Sequence, residues 1–227
     1  MRLLLTNDDG IDAPGFAALC SAAALVGDVL VAAPVREWSG CGHQVTTHAT
    51  IRIEPRGAGI WAIHGTPADC VRIALDHLGL APDWVIAGIN SGGNLGTDVY
   101  HSGTVAAARE AALHGRPGIA VSHYRRRGMP VDWTRAATWT TTVIREVIDA
   151  GCSTGHYINV NLPHADVGEM MPDRLRVAVD PSPLPLRFVN DTDGVRYAGD
   201  YHQRARVPGA DVDACFGGKI SVSDLVL

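Results

Sequence analysis

The sequence predicts an α/β fold built on a doubly wound, mainly parallel sheet, and three observations indicate it. Short apolar runs alternate with longer helical patterns over most of the chain, as in proteins whose strands are linked by helices. These runs are continuously apolar, which is typical of strands buried on both faces. After Pro163 the pattern changes to short β-like runs with several prolines. We therefore predict a Rossmann-like, three-layer core with an appended β-rich C-terminal segment.

The elements of the core follow from local patterns taken in order along the chain. Apolar runs predict strands at residues 2–6, 29–33, 84–88, 119–122 and 157–162, and alternation predicts a small β excursion at 50–54 and 60–63. Helical periodicity predicts helices at residues 14–26, 66–78, 104–114 and 132–149. At the start of the second helix, Thr66 supplies a capping hydroxyl, Pro67 suits the first turn, and Asp69 complements the N-terminal partial charge.

The change of pattern after Pro163 also divides the chain into two parts. We expect residues 1–164 to form the α/β catalytic core and residues 165–227 to form a β-rich extension. The extension is a candidate oligomerisation element, and we expect a homodimer or a homotetramer.

Composition and charge exclude several classes of protein. The chain has 227 residues, of which 46% are hydrophobic, as in an ordinary globular domain. Its net charge of −5 offers no basic surface for duplex nucleic acid. No apolar run approaches the roughly 20 residues that span a bilayer, and no signal peptide precedes the first strand. We therefore expect a cytoplasmic protein without a membrane partner. The five cysteines form no CxxC pair, which indicates reduced thiols, although Cys41 in a glycine-rich loop remains a candidate reactive thiol.

Three polar loops follow predicted strands, and these loops carry the candidate site. They span residues 7–10, 39–42 and 90–104. Ligands of open parallel sheets bind beyond the carboxyl ends of the strands, so the three loops can meet at one rim. We expect Asn7, Gly40 and Ser91 in these loops to contact the substrate.

The first loop contains two adjacent carboxylates, Asp8 and Asp9. Their mutual repulsion raises one pKa unless a cation offsets it, and a hard divalent ion with oxygen ligands is the natural partner. The alternative is a helix cap with a turn, because Asp-Gly pairs are common in turns.

The third loop combines four glycines with amide and hydroxyl side chains and leads into a helix. Glycines let backbone N–H groups approach an anion, and Ser102-Gly103-Thr104 lies at the predicted helix N-terminus. A flexible surface loop is the alternative. The loop is neither a dinucleotide fingerprint nor a Walker A motif, since Lys219 is the only lysine of the chain. A haloacid-dehalogenase site also fits poorly, because it needs two aspartates two residues apart.

Five ordered blocks resemble the SurE survival proteins, which are metal-dependent 5′/3′-nucleotidases with broad phosphatase activity. The resemblance covers about 165 residues, in blocks that span residues 5–15, 33–40, 65–71, 88–108 and 158–163. It implies that Asp8, Asp9, Ser39 and Asn90 bind one divalent ion per subunit, either Mg²⁺ or Mn²⁺. It also implies that Asn94, Ser102, Gly103 and Thr104 surround the phosphate.

The resemblance implies a phosphomonoesterase that hydrolyses nucleoside 5′- or 3′-monophosphates to nucleoside and phosphate. The catalytic residues would be Asp8, Asp9, Asn94 and Ser102. The metal would activate a water, which Asp8 or Asp9 positions or deprotonates, while Asn94 and Ser102 offset charge on the phosphoryl oxygens.

The sequence departs from the family pattern at two places. His101 stands where the family usually has another aromatic residue, often tyrosine, and the run from Gly217 to Leu227 lacks the usual Thr-Pro motif and tail. Two alternatives therefore stay open: a phosphatase specialised for another small phosphate ester, and a non-catalytic nucleotide-binding module.

Overall fold

The computed structural model describes residues 1–164 and 170–227. Its strands, in chain order, are β1 (Arg2–Thr6), β2 (Asp28–Pro34), β3 (Ile53–Gly57), β4 (Ile60–Ile63), β5 (Trp84–Asn90), β6 (Gly118–His123), β7 (His156–Leu162), β8 (Arg174–Arg176), β9 (Phe188–Asp191), β10 (Gly194–Tyr197) and β11 (Ile220–Val226). Its helices are α1 (Pro14–Ala23), α2 (Pro67–Leu75), α3 (Gly103–Leu113), α4 (Trp133–Ala150) and α5 (Asp211–Phe216). Two 3₁₀ turns lie at Gly96–Tyr100 and Tyr201–Gln203.

Nine strands form one sheet in the order β3-β4-β2-β1-β5-β6-β7-β11-β8. The strands β2, β1, β5, β6 and β7 run parallel to one another, and β4 continues this direction beside β2. Two strand pairs of this sheet are antiparallel among the described residues, β3 with β4 and β11 with β7. The predicted doubly wound, mainly parallel sheet is therefore confirmed.

Helices cover both faces of the sheet and form three layers. Leu3 and Leu5 of β1 point to one face and pack in a core with α1 and α4, whereas Leu4 points to the other face and packs with α2 and α3. Alternate side chains of a strand point to opposite faces, so a strand buried on both faces must be apolar throughout. The continuous Leu3-Leu4-Leu5 run therefore reflects this burial.

The helix termini follow the predicted signals more closely at the start than at the end. Thr66 and Asp69 form a reciprocal capping box at the start of α2. This helix ends at Leu75 rather than near residue 78, and Gly79 takes a positive φ of 61° in the turn that follows. Similarly, α1 ends at Ala23 instead of 26, because the residues that follow form tight turns back to β2.

The C-terminal part contributes strands to the main sheet. β11 lies between β7 and β8, and its Ile220 and Val222 belong to the larger core cluster. β9 and β10 form a separate hairpin, and α5 is a helix in a segment where only β-like runs were predicted. The division near residue 164 stays a prediction, and residues 165–169 at that boundary lie outside the described residues. Over the described ranges, no helix is both long and apolar enough to cross a membrane.

Candidate active site

The three polar loops meet at one edge of the sheet, as the topology predicts. Because β2, β1 and β5 are parallel neighbours, their carboxyl ends lie side by side. The loops enclose an open cavity of about 460 Å³. Eight of the predicted site residues line it: Asp8, Asp9, Ser39, Gly40, Asn90, Ser91, Asn94 and Ser102. A larger groove of about 550 Å³ runs beside α2 and the end of α3 and contains none of these residues.

The buried Asp8 carboxylate lies against the N-terminus of α3. The Thr104 hydroxyl donates a hydrogen bond to Asp8 Oδ1, and the Thr104 backbone N–H also favours the charged form of this carboxylate. Gly103 allows this approach, because a Cβ there would lie 3.0 Å from Asp8 Cβ and 2.9 Å from Cys41 Sγ. We expected the N-terminus of α3 to face the phosphate. In the structure the Asp8 carboxylate lies there instead.

Burial dominates the electrostatics of both aspartates. It raises the pKa of Asp8 from 3.8 to about 6, with the neighbouring Asp9 charge adding to the rise and the Thr104 hydrogen bonds opposing it. Burial also raises the pKa of Asp9, and the charge of Glu37 acts in the same direction. The Ser91 N–H, 2.9 Å from Asp9 Oδ2, opposes this rise. Two poorly solvated carboxylates beside each other form a site that a cation would stabilise.

Ser39 and Asn90 complete a set of oxygen donors around this pair. The Ser39 hydroxyl donates to Glu37 Oε1 at 2.6 Å, so its oxygen keeps lone pairs for another partner. The Asn90 amide donates to the Gly92 carbonyl at 2.9 Å, which leaves its own oxygen as a ligand.

This donor set fits a hard divalent ion. In residues 1–164 and 170–227 no three His, Cys, Asp or Glu side chains are grouped to hold a metal ion, so a metal here needs the neutral Ser39 and Asn90 oxygens as well as Asp8 and Asp9. Four oxygen donors without a sulfur or imidazole suit Mg²⁺ or Mn²⁺.

A buried frame at the ends of β6 and β7 positions Asn94. Its backbone N–H donates to Asn161 Oδ1 at 2.8 Å, and its side-chain amide donates to Ser122 Oγ at 2.7 Å. Asn159 and Asn161 donate in turn to its carbonyl oxygen. Because three neighbouring side chains bind it, Asn94 is held rigidly at the cavity wall.

Ser102 is the N-cap of α3 and lines the cavity. Its oxygen accepts a hydrogen bond from the Val105 N–H at 3.1 Å. The hydroxyl proton is therefore available to an acceptor in the cavity.

Three predicted phosphate-binding residues, Asn7, Gly103 and Thr104, do not line the cavity. Asn7 is buried, and its amide donates to the Gly10 carbonyl at 2.7 Å, which closes the turn around Asp8. The Thr104 hydroxyl is already engaged by Asp8. The structure places these residues behind the carboxylates, where they shape the loop; a direct contact of theirs with phosphate stays a prediction.

Sequence reasoning missed several residues of the cavity wall, including Glu37, Arg125 and Tyr201. Arg125 is the second residue after β6, and Nη1 of its guanidinium donates to Ser91 Oγ at 3.2 Å. The rule that placed the other loops also applies to the carboxyl end of β6, so this residue was within reach of prediction. Glu37 lies two residues before Ser39, but no local pattern distinguished it.

Tyr201 reaches the cavity from the C-terminal part, which no local pattern indicates. Its hydroxyl donates to Asp98 Oδ2 at 2.8 Å. The buried Arg204 guanidinium lies 2.8 Å from the same oxygen. This clamp fixes the loop that carries Asn94 to the C-terminal part of the chain.

The other candidates from the sequence lie mostly elsewhere. His101 lines the cavity, whereas Cys41 does not. Burial, followed by the nearby Asp8 charge, raises the pKa of the Cys41 thiol to about 11. A thiol of this kind is protonated at neutral pH and is a poor nucleophile, so the geometry favours metal-assisted chemistry over thiol chemistry.

Comparisons with known proteins identify the family that this chain is similar to. Residues 3–178 match the family described as survival protein SurE. A Nostoc sp. protein, whose name assigns it provisionally to the 5′-nucleotidases, is 48% identical over 225 residues, covering 99% of both chains. The 5′-nucleotidase SurE of Moorella thermoacetica is 40% identical over 239 residues, covering 100% of this chain and 90% of that protein.

A solved structure shows the same fold. The crystal structure of the SurE protein from Aquifex aeolicus superposes with a TM-score of 0.85 at 31% identity, covering 100% of this chain and 93% of that one. The matched region contains β1, the loop around Ser39 and the loop from Asn90 to Thr104, which together build the cavity. The chain therefore belongs to the SurE family.

Proposed function

We propose that this protein is a metal-dependent phosphomonoesterase that hydrolyses nucleoside monophosphates to nucleoside and phosphate. The observation that carries the proposal is the cluster of oxygen donors that the buried Asp8 and the half-buried Asp9 form with Ser39 and Asn90 at the carboxyl edge of the sheet. The 5′-nucleotidase names of relatives that cover nearly the whole chain support it. Both 5′- and 3′-monophosphates fall within the proposal.

The metal of this proposal is Mg²⁺ or Mn²⁺, with one ion per subunit. Asp8, Asp9, Ser39 and Asn90 would hold it, since each offers an oxygen to the same cavity. Such an ion polarises a phosphoryl oxygen and lowers the pKa of a bound water when it is present.

The chain's own residues then orient the ester and the water. Asp9 Oδ1 has no hydrogen-bond partner among the described residues, so it is free to accept a proton from a water in the cavity. Ser102 donates its hydroxyl proton to a phosphoryl oxygen, and Asn94 offers its rigidly held amide. The Arg125 guanidinium at the rim offsets part of the negative charge of the ester.

A phosphatase specialised for another small phosphate ester is the second candidate. The observation that favours it is His101, which lines the cavity at a position where the family usually has another aromatic residue. A non-catalytic nucleotide-binding module is less favoured, because binding alone does not require a set of four oxygen donors that includes the buried Asp8 and the half-buried Asp9.

Phosphate release from a panel of nucleoside monophosphates and simple phosphate esters tests the proposal. Each ester is incubated with EDTA, Mg²⁺ or Mn²⁺, using the wild type, Asp8→Asn and the matched control Asp12→Asn. Asp12 is an exposed carboxylate of the same loop that does not line the cavity. We expect metal-dependent release that is lost only in Asp8→Asn, and the ranking of esters separates the first two candidates. Folded wild-type protein that releases no phosphate from any ester would leave only the binding module.

We further propose that the β9–β10 hairpin mediates a homodimer or homotetramer. Leu186, Phe188 and Val195 expose 88%, 57% and 66% of their surfaces on or beside this hairpin, and clusters of exposed apolar side chains mark protein contacts. Light scattering of the wild type and of a Phe188→Ser/Val195→Ser variant tests this. We expect the variant to have a lower molar mass in solution than the wild type. Equal masses would show that the hairpin is not the contact.

A further inference from the structure

A second cavity of about 300 Å³ opens beside the candidate active site. Asp9, Glu37, Ser91 and Arg125 line both cavities, so the two cavities adjoin at these residues. A substrate whose phosphate lies near Asp9 therefore has the side cavity directly beside it.

The side cavity differs from the main one in its chemistry. Its far wall consists of Ala13, Pro14, Gly15, Val131 and Trp133. The main cavity is lined by charged and amide side chains, hydroxyls and glycines, and its rings are His101 and Tyr201. The Tyr201 hydroxyl is bound to Asp98, so this ring is tied to the wall. Of the two cavities, the side cavity therefore provides the apolar wall next to the carboxylate cluster.

Contacts on two sides hold the Trp133 ring in place. It packs against Gly15, where a Cβ would lie 2.9 Å from the indole, and it meets the His123 ring edge-on with centroids 6.2 Å apart. A fixed ring loses little conformational entropy when another ring stacks on it. The half-buried indole is thus a ready surface for a flat aromatic group.

We propose that the side cavity is the base-binding subsite of the nucleotide, with Trp133 as its stacking surface; this rests on the proposed function. A nucleobase has apolar faces and a polar edge, so its faces match the Trp133 wall. Arg125 and Glu37 at the junction offer a donor and an acceptor to the polar edge or to the ribose. The phosphate remains beside Asp8 and Asp9.

The test compares a nucleotide with the same phosphate ester lacking the base. We measure kcat/KM for adenosine 5′-monophosphate and for ribose 5-phosphate with Mn²⁺, using the wild type, Trp133→Leu, Trp133→Phe and Tyr100→Ala. Leu retains apolar packing against Gly15 but removes the aromatic face, whereas Phe retains a face. Tyr100 is an exposed ring close to the loop around Asn94 that lines neither cavity, so it is the matched control.

We expect Trp133→Leu to lower kcat/KM for adenosine monophosphate about tenfold or more, through KM, and to leave that for ribose 5-phosphate unchanged. Trp133→Phe should recover most of the loss, and Tyr100→Ala should change neither substrate. Equal losses for both substrates, or no loss, would overturn the subsite. Thermal unfolding of each variant shows whether it is folded. If Trp133→Leu proves misfolded, the two substrates are compared with Trp133→Phe instead.

Calorimetric binding of the same two ligands with Mn²⁺ separates this inference from the proposed function. If wild-type protein releases no phosphate but binds the nucleotide more tightly than ribose 5-phosphate, and Trp133→Leu removes that difference, hydrolysis fails and the subsite stands. If hydrolysis occurs but the nucleotide preference does not depend on Trp133, the subsite fails and the proposed function stands.

Discussion

The Asp8→Asn substitution should stabilise the metal-free protein while it abolishes metal-dependent hydrolysis. Burial raises the pKa of Asp8 from 3.8 to about 6. The folded protein therefore holds the Asp8 proton more tightly than the unfolded chain does. The bound proton makes its full contribution to the free energy of unfolding below pH 3.8, and this contribution is lost as the pH rises through about 6.

The size of the effect follows from the same two values. A rise from 3.8 to about 6 corresponds to about 3 kcal/mol, which is the cost of the charged, desolvated Asp8 at pH 7.5. Asparagine is neutral and retains an oxygen for the Thr104 donors, so it avoids this cost. For a chain of this length, about 3 kcal/mol corresponds to a rise in Tm of roughly 6–12 °C.

Thermal unfolding in EDTA at pH 7.5 and at pH 5 measures this effect. At pH 5 the wild type recovers about 1.4 kcal/mol, so the advantage of Asp8→Asn should fall by about half. The Asp12→Asn control alters an exposed carboxylate of the same loop and should leave Tm nearly unchanged. Adding Mn²⁺ should raise the Tm of the wild type much more than that of the variant. An Asp8→Asn protein that is less stable than the wild type at pH 7.5, or an advantage that does not depend on pH, would refute the reasoning.

Three further predictions test the surroundings of the carboxylates. Gly103→Ala should abolish metal-dependent turnover in a protein that still shows native circular dichroism, because its Cβ would lie 3.0 Å from Asp8 Cβ. Thr104→Val should weaken Mn²⁺ binding about 10- to 100-fold in titration calorimetry, and Thr104→Ser should restore it; equal affinities for Val and Ser would show that the hydroxyl is not needed. Arg204→Met should lower the free energy of unfolding by about 3–5 kcal/mol in urea, since it leaves Asp98 without its buried cation, and a loss below about 1 kcal/mol would contradict this.

Local patterns predicted most of the fold because burial on two faces and helix capping leave clear marks in the sequence. Leu3-Leu4-Leu5 and the Thr66–Asp69 capping box are examples. The position of β11 between β7 and β8 could not be predicted in this way, because strand order and direction depend on contacts far apart in the sequence. The six-residue helix α5 was missed for a related reason, since so short a helix is stabilised by packing more than by its own propensity.

The candidate site was likewise predicted only in part. The parallel topology correctly predicted that the loops after β1, β2 and β5 lie together. Asp8, Ser39 and Asn90 therefore line one cavity. The sequence did not indicate which anion would take the N-terminus of α3, because a carboxylate and a phosphate suit it equally well. Tyr201 and Arg204 reach the loop around Asn94 from more than a hundred residues away, and no local spacing reports such a contact.

The placement of Asp8 at the N-terminus of α3 has a consequence for the order in which ligands bind. The backbone N–H of Thr104 and the partial positive charge of the helix already serve this carboxylate. Without a metal the cavity presents the carboxylates of Asp8, Asp9 and Glu37 against the guanidinium of Arg125, while Asp98 is paired with Arg204. This excess of negative charge repels a phosphate dianion. Inorganic phosphate therefore binds only when the metal is present. As the reaction product, it competes with the substrate for the metal-bound enzyme and does not occupy the metal-free protein.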